Sequence, residues 1–339
     1  MVRTFEPTNI HAAKLIDLPL VRRLTEDGIV LDSELVCTRE ALGATTVLLS
    51  RILPQRGVYT LVGRSGREKV VGQFRLRGDH PLAQMIFVAP SPQDEVRTNA
   101  WLHLLDAVAA EAGKRGAHML MAEVDEDSLL FNTLRLANFA VYARQELWRW
   151  QGDAERLAAV ERLPLTEVKD EDPAEIHSLY SAVVPPLIQP VAAPSEDAAG
   201  WVYRRDGRIR AYIAYAEGRC GGYIMPYVHP EVVAHEADAL FSAVLARAKA
   251  DRQPVFLCLR RYQEWLETSL HDLGFVPFKE QAVMVRHIAA GVRHAQFVQT
   301  GLALEAISHV VRPPSHSKMI PMPSGEVPRA LWNDGSQTI

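Results

Sequence analysis

The chain says the same thing twice, and no other feature limits its fold as much. Phe87-Val88-Ala89-Pro90 is matched by Tyr227-Val228-His229-Pro230, and Leu134-Arg135-Leu136-Ala137-Asn138-Phe139 by Leu270-His271-Asp272-Leu273-Gly274-Phe275. Gly63-Arg64-Ser65-Gly66 with its apolar run is matched by Arg204-Arg205-Asp206-Gly207 and its run. The landmarks keep their order and a near-constant offset, Gly66 to Gly207, Pro90 to Pro230 and Phe139 to Phe275. A period this long is not that of a stacked repeat, so the chain reads as two copies of one domain, each expected to own a core. With 339 residues there is room for two such domains and a tail.

Within each copy the apolar pattern alternates between the period of a strand and that of a helix. Copy one gives strands over 57–62, 69–76 and 82–88, the first two joined by a turn too short for a crossover and therefore antiparallel. Trp101, Leu104, Leu105, Val108 and Ala112 form one helical stripe. A strand over 118–124, a short helix over 128–136 and a last strand over 141–150 come next. Copy two repeats the order, with strands over 209–216, 222–228, 255–259 and 276–285 and helices over 233–250 and 262–273. Leu240, Phe241 and Val244 stand to Leu104, Leu105 and Val108 as Phe275 stands to Phe139. A partly helical stretch precedes the first hairpin of each copy. The boundaries read as domain one over 1–152, domain two over 160–288 and an extension over 289–339 that is largely irregular from about 313.

The formal net charge of −4 and the absence of a basic stripe speak against a nucleic-acid partner. No apolar stretch is long enough to span a bilayer, so no membrane partner is expected. Cys37, Cys220 and Cys258 are odd in number and in no metal-ligand spacing, which fits a reducing, cytoplasmic setting without a bound metal. His229, Glu231 and His235 straddle a strand end and a helix start and make a poor metal set. Trp148 and Trp150 share a strand face and read as packing against the other copy.

The order of strands and helices, the Val-x-Pro endings at Val88-Ala89-Pro90 and Val228-His229-Pro230, and Leu273-Gly274-Phe275 before the last strand resemble the GNAT acetyltransferase family. Asn138-Phe139 is a weaker form of that last motif, Asn tolerating the left-handed backbone that Gly would adopt. The resemblance implies an α/β fold of two tandem GNAT-like domains, each a mixed, mostly antiparallel sheet flanked by helices. It implies acyl transfer from acetyl-CoA or another acyl-CoA to a small-molecule amine or a peptide. In copy one it implies that the amides around Val88 and Ala89 meet the pantetheine arm and that Arg97, Thr98 and Asn99 meet the phosphates. Glu123 and Asp125, at the end of a central strand, stand where a base is wanted, and Tyr142 is a candidate acid; Tyr262 is its counterpart in copy two.

The pyrophosphate turn of that family relies on glycine and positive charge at a helix N-terminus. Residues 91–100 hold no glycine and two carboxylates; residues 231–238 hold no glycine, three carboxylates and no Lys or Arg. The tyrosine expected before the Gly-Phe is Leu134 in one copy and Leu270 in the other. The chain is accordingly read either as an acyltransferase with an altered loop, copy one being the better candidate, or as a non-catalytic binding or scaffold protein built on that fold. On the second reading residues 125–127 merely cap the next helix. The acceptor and the oligomeric state have no signature in the sequence.

Overall fold

The computed structural model describes residues 9–39, 57–65, 68–76, 81–92, 98–192 and 199–288. The first copy runs β1 (Asn9–Ala12), α1 (Leu18–Leu24), β2 (Ile29–Val30), α2 (Ser33–Arg39), β3 (Val58–Ser65), β4 (Glu68–Leu76) and β5 (Leu82–Ala89). It continues through α3 (Thr98–Lys114), β6 (Met119–Val124), α4 (Leu129–Leu136) and β7 (Ala140–Trp150). After α5 (Ala154–Ala159), the second copy runs β8 (Leu165–Glu167), α6 (Pro173–Val183), α7 (Gln189–Ala192), β9 (Gly200–Arg205), β10 (Arg208–Glu217) and β11 (Gly222–Val228). Then come α8 (Ala234–Arg247), β12 (Val255–Arg260), a 3-10 segment over Arg261–Leu266, α9 (Glu267–Asp272) and β13 (Phe275–His287).

All thirteen strands described form one sheet, in the order β1-β3-β4-β5-β6-β13-β7-β12-β11-β10-β9-β8, with β2 alongside β5. The pairing is antiparallel except where β5 meets β6 and β11 meets β12. Two periods in the sequence set this up. Trp101, Leu104, Leu105, Val108 and Ala112 are buried along α3, as are Ala237, Leu240, Phe241, Val244, Leu245 and Ala248 along α8. They pack on the strands of their own copy. The last helical turn before each final strand ends on a left-handed residue, Asn138 at φ 63° and Gly274 at φ 88°. For glycine that backbone carries no steric cost, and asparagine tolerates it.

The closing strands do not stay at home. β13, from the second copy, lies between β6 and β7 of the first, and β7 lies between β13 and β12. The expectation that each copy owns its core therefore gives way to crossed cores. Trp148 of β7 is buried among Leu240, Phe241 and Leu270, and its ring meets His271 edge-on at 4.7 Å. Trp150 donates from Nε1 to the Leu273 carbonyl at 2.9 Å. Ala282 and Met284 of β13 are buried with Leu104, Leu120 and Leu134 of the first copy. Gln145 and Gln281 stand at the same repeat offset as Phe139 and Phe275. They face each other across β7 and β13, so the local two-fold of the doubled chain passes between them.

If the exchange holds the two copies together, neither half folds alone. Residues 1–152 and 160–288 produced separately are expected to lack cooperative unfolding by circular dichroism and to recover it, as a 1:1 complex on gel filtration, when refolded together. Two independently folded halves would contradict this.

Candidate functional site

In each copy two parallel strands start side by side and then part. β5 and β6 pair over Leu82↔Met119, Ala83↔Leu120 and Gln84↔Met121 and no further. β11 and β12 pair over Gly222↔Val255, Tyr223↔Phe256 and Ile224↔Leu257 and no further. Beyond that point each pair forms a V at the carboxyl ends of the strands, where open α/β sheets build their sites.

The V of copy one is closed by the chain's own N-terminal segment. β2 pairs antiparallel with β5, placing Ile29 opposite Val88 and Val30 opposite Phe87. Leu31 N–H donates to Ile86 O at 3.0 Å, and Leu31 O accepts from Glu123 N–H at 3.2 Å, so one residue bridges both arms. Val88 is paired with Gly72 on its other side and Ala89 with Val71. Leu31 is fully buried, which stabilises the closure by about 2 kcal/mol. Gly28 lets the segment approach this closely, since a Cβ there would stand 2.0 Å from Phe87 Cζ.

The start of α2 anchors the closing segment. Asp32 accepts from Leu35 N–H at 3.0 Å and from Arg75 Nη2 at 2.7 Å. Ser33 N–H donates to Glu123 Oε2 at 2.7 Å and Ser33 Oγ to Gln281 Oε1 at 2.7 Å. Gln145 Nε2 reaches Ser33 Oγ at 3.3 Å and Gln281 Oε1 at 3.2 Å. Glu123, 5% exposed, thus holds the bridging segment to β6 by its own side chain.

The V of copy two is closed by a side chain. Gln263, 1% exposed, lies across it with its amide oriented by its neighbours. With the amide assigned from these partners, its nitrogen donates to Pro226 O at 2.8 Å and its oxygen accepts from Val228 N–H at 3.0 Å. Pro226 and Val228 stand to Ile86 and Val88 as Pro230 stands to Pro90, which is the offset of the Val-x-Pro motifs. The equivalent main-chain positions are therefore taken in both copies, by a strand in one and by a glutamine in the other.

At the mouth of copy two, Glu236 accepts from Val233 N–H at 3.2 Å and from Arg205 Nη1 at 2.9 Å. Burial disfavours its charge, but the Val233 N–H and the Arg205 guanidinium outweigh that and hold the carboxyl below the usual glutamate range. A carboxylate of this chain thus sits at the positive end of α8. Arg210 is engaged with Glu231 at 2.8 Å, and Glu231 N–H reaches His229 Nδ1 at 3.2 Å. Among the described residues no group of three His, Cys, Asp or Glu could hold a metal ion.

The remaining candidates are spread out. Arg97 lies outside the described residues. Thr98 opens α3, and Asn99 is exposed on its first turn. A cavity of about 370 Å³ beside the end of β5 is lined by Arg23, Lys69, Ser91 and Trp101, among others. Asp125 pairs with Lys279 Nζ at 3.0 Å, and the cap of α4 is Ser128, whose Oγ accepts from Phe131 N–H, rather than one of the acids. Tyr142 bonds His287 Nε2; His287 stands opposite Met119, the first residue of β6. That is about 13 Å along the strand from Glu123, at 3.3 Å per residue. The fold does not bring Tyr142 to Glu123 and Asp125. Tyr262 is partly buried, and burial pushes its phenol up to about 12. Cys258 is buried, its thiol pushed up to about 11 by desolvation, which suits a packing role.

The residues that matter most here were silent in the sequence: Leu31, Ser33 and Gln263. Gln145 and Gln281 alone carried a signal, being identical residues at the repeat offset. On the sheet face opposite to them, Glu146 and Glu280 stand directly across β7 and β13. A cavity of about 180 Å³ there is lined by Arg144, Glu146, Glu264, Glu267 and Glu280, among others. Burial, and then the charges of Glu267 and Glu280, hold the Glu146 carboxyl above the usual glutamate range.

That direction carries a stability sign. A carboxyl whose value is raised in the fold favours the fold below its unfolded value, near 4.3, and loses that contribution as pH rises through the folded value. Glu146→Gln is therefore expected to stabilise the chain by about 0.5 kcal/mol at pH 7, the scale of one like-charge cross-strand pair. It should give no gain at pH 4. Urea unfolding at the two pH values measures it.

No protein-family model and no curated protein matches the chain. Solved structures do. A GCN5-related N-acetyltransferase from Sphaerobacter thermophilus is 12% identical, with a TM-score of 0.52 over 84% of this chain and 97% of that one. A tandem GNAT protein from the clavulanic acid biosynthesis pathway is 14% identical, with a TM-score of 0.50 over 83% of this chain and 99% of that one. Identities this low speak for architecture alone, and on that the doubled order of elements, the paired Vs and the near-complete coverage agree: this chain has the tandem GNAT fold.

Proposed function

We propose that the chain is a non-catalytic GNAT-fold protein, a binding or scaffold protein in which neither copy admits the arm of acyl-CoA. One observation carries the reading. The main-chain positions that would meet the arm are already paired inside the molecule in both copies, around Ile86 and Val88 by β2 and around Pro226 and Val228 by Gln263. An arm laid between β5 and β6 would have to displace β2 from β5 and expose Leu31, the residue that bridges to β6. In copy two the acidic mouth adds to this, because Glu236 already occupies the positive end of α8. The residues present do not fit the cofactor.

The competing reading is an acyl-CoA-dependent N-acyltransferase acting on an amine. The cavity beside Arg23 and Lys69 could lodge phosphates, but an acyl group reaches an acceptor only through the arm's path, and that path is filled. Calorimetric titration with acetyl-CoA decides between the two. No saturable binding is expected up to about 1 mM, which corresponds to less than about 4 kcal/mol of affinity. Micromolar binding accompanied by acetylation of an added amine would overturn the proposal.

A further inference from the structure

Each copy leads from its first described strand into its first helix through the same locked turn. In copy one Asp17 N–H donates to the Lys14 carbonyl at 2.9 Å, and the Asp17 carboxylate accepts from Lys14 N–H at 3.0 Å and from Nη2 of Arg64 on β3 at 3.1 Å. In copy two Asp172 N–H donates to the Lys169 carbonyl at 3.0 Å, and the Asp172 carboxylate accepts from Lys169 N–H at 2.9 Å and from Nη2 of Arg204 on β9 at 2.6 Å. Each aspartate is 1% exposed. The turns match in all three bonds, yet their tips differ: Leu15 and Ile16 in one, Asp170 and Glu171 in the other.

A charged tip is what a solvent-facing turn ordinarily carries. The aliphatic tip is not. Leu15 is 76% and Ile16 83% exposed, the two most exposed large apolar side chains among the described residues and the only two adjacent in sequence. Copy two builds the same turn on Asp-Glu, so the turn itself does not require the aliphatic pair. The bonds to Asp17 fix the backbone that displays the pair, which leaves little conformational freedom to lose on contact. Burial disfavours the Asp17 charge, but Lys14 N–H, His11 and Arg64 outweigh that and hold the carboxyl below the usual aspartate range. The immediate surroundings of the tip are cationic. Lys14 precedes it and is exposed, and Arg64 and His11 both reach the buried Asp17. The other charges of this end stand further off: Arg22 and Arg23 in the last turn of α1, Glu26 and Asp27 beyond it, and Glu68 at the β3–β4 turn.

We infer that Leu15-Ile16 is a surface anchor for an anionic lipid bilayer, the two aliphatic side chains entering the apolar boundary while Lys14 and Arg64 meet the lipid phosphates. A convex Leu-Ile tip gives a protein partner little to recognise, since binding hot spots are built on aromatic residues and arginine in packed pockets. A bilayer surface needs only apolar area with positive charge beside it. The expectation of no membrane partner rested on the lack of a spanning stretch, and no helix among the described residues is long and apolar enough to cross a membrane; a surface anchor needs none. The tip uses no group of either V, so it stands whether or not acyl-CoA is excluded.

Cosedimentation of the full chain with lipid vesicles is the test. Binding to vesicles of equimolar phosphatidylcholine and phosphatidylserine is expected, at least about tenfold tighter than to phosphatidylcholine alone and weakened by salt. L15D/I16E gives copy one the tip of copy two; it should unfold at the temperature of the natural chain and lose about a hundredfold in affinity for the anionic vesicles. K14E, which keeps the aliphatic pair, should lose about fivefold on the anionic vesicles and nothing on the neutral ones. A natural chain that stays in solution beside anionic vesicles overturns the inference, as does undiminished binding by L15D/I16E or by K14E. Self-association of the natural chain that L15D/I16E abolishes, without vesicle binding, assigns the tip to a protein contact and overturns it too.

Discussion

The pairing of β7 with β13 is the interaction on which the rest depends. Each strand closes one copy, yet each spends both its edges across the repeat boundary: β13 on β6 and β7, β7 on β13 and β12. A strand in the middle of a sheet cannot be withdrawn without leaving two rows of unpaired main-chain groups, and buried groups of that kind are costly. The two copies therefore form a single compact unit. The same pairing decides what lies over the seam. Gln145 and Gln281 meet at the local two-fold, and the amide pair takes Ser33 as its third member. Ser33 in turn brings the segment that precedes it down between β5 and β6.

The closure of the Vs arises from the same need to satisfy main-chain groups. When parallel strands part, the facing edges lose their partners just where the sheet is most buried. A bound ligand is one remedy. This chain uses two others, a strand and a side-chain amide, at positions that the repeat offset makes equivalent. The remedies differ in cost. The strand orders several residues and offsets that by burying Leu31 and by two bridging hydrogen bonds. The glutamine orders one side chain. A doubled fold can thus begin from one plan and reach two local solutions, with the overall sheet unchanged.

Much of the architecture was legible in the sequence because it rests on periodicity. The stripes of α3 and α8, the hairpin of β3 and β4, and the left-handed ends at Asn138 and Gly274 are all set by residue spacing or residue type. The exchange of β7 and β13 was not legible, since alternation along a strand states which face is buried and is silent about which neighbour pairs with its edge. The packing of Trp148 and Trp150 against the other copy was the one trace of it. β2 was invisible because two residues carry no period, and its meaning comes from Ile86 and Glu123, distant in sequence. Gln263 was invisible because a glutamine in a polar stretch is ordinary until both its amide atoms are found on buried main chain. The loops told more by their charges: the acids of 231–238 read as opposing a phosphate, and Glu236 does sit on the helix end.

The buried glutamines also bear on how β13 finds its place. A strand threaded between two others must choose a register, and a slip of one residue would turn every side chain to the opposite face. The ladder of β13 with β7 shifts between Pro277 and Lys279 and again between Val283 and Met284, bulges that fix where each stretch of the strand pairs. Apolar side chains alone penalise a slip weakly when both faces are buried. A slip by one would instead carry Gln281 away from Gln145 and Ser33 to the carboxylate face and bury Glu280 beside Glu123. The network that looks expensive in a hydrophobic interior is therefore what marks the correct register, the one in which Gln281 keeps Ser33 and Gln145 as donors and Ser33 in turn keeps the Glu123 carboxyl. The polar row at the two-fold thus specifies the exchange more than it stabilises it, and the closure of copy one, hung on Ser33, inherits that specificity.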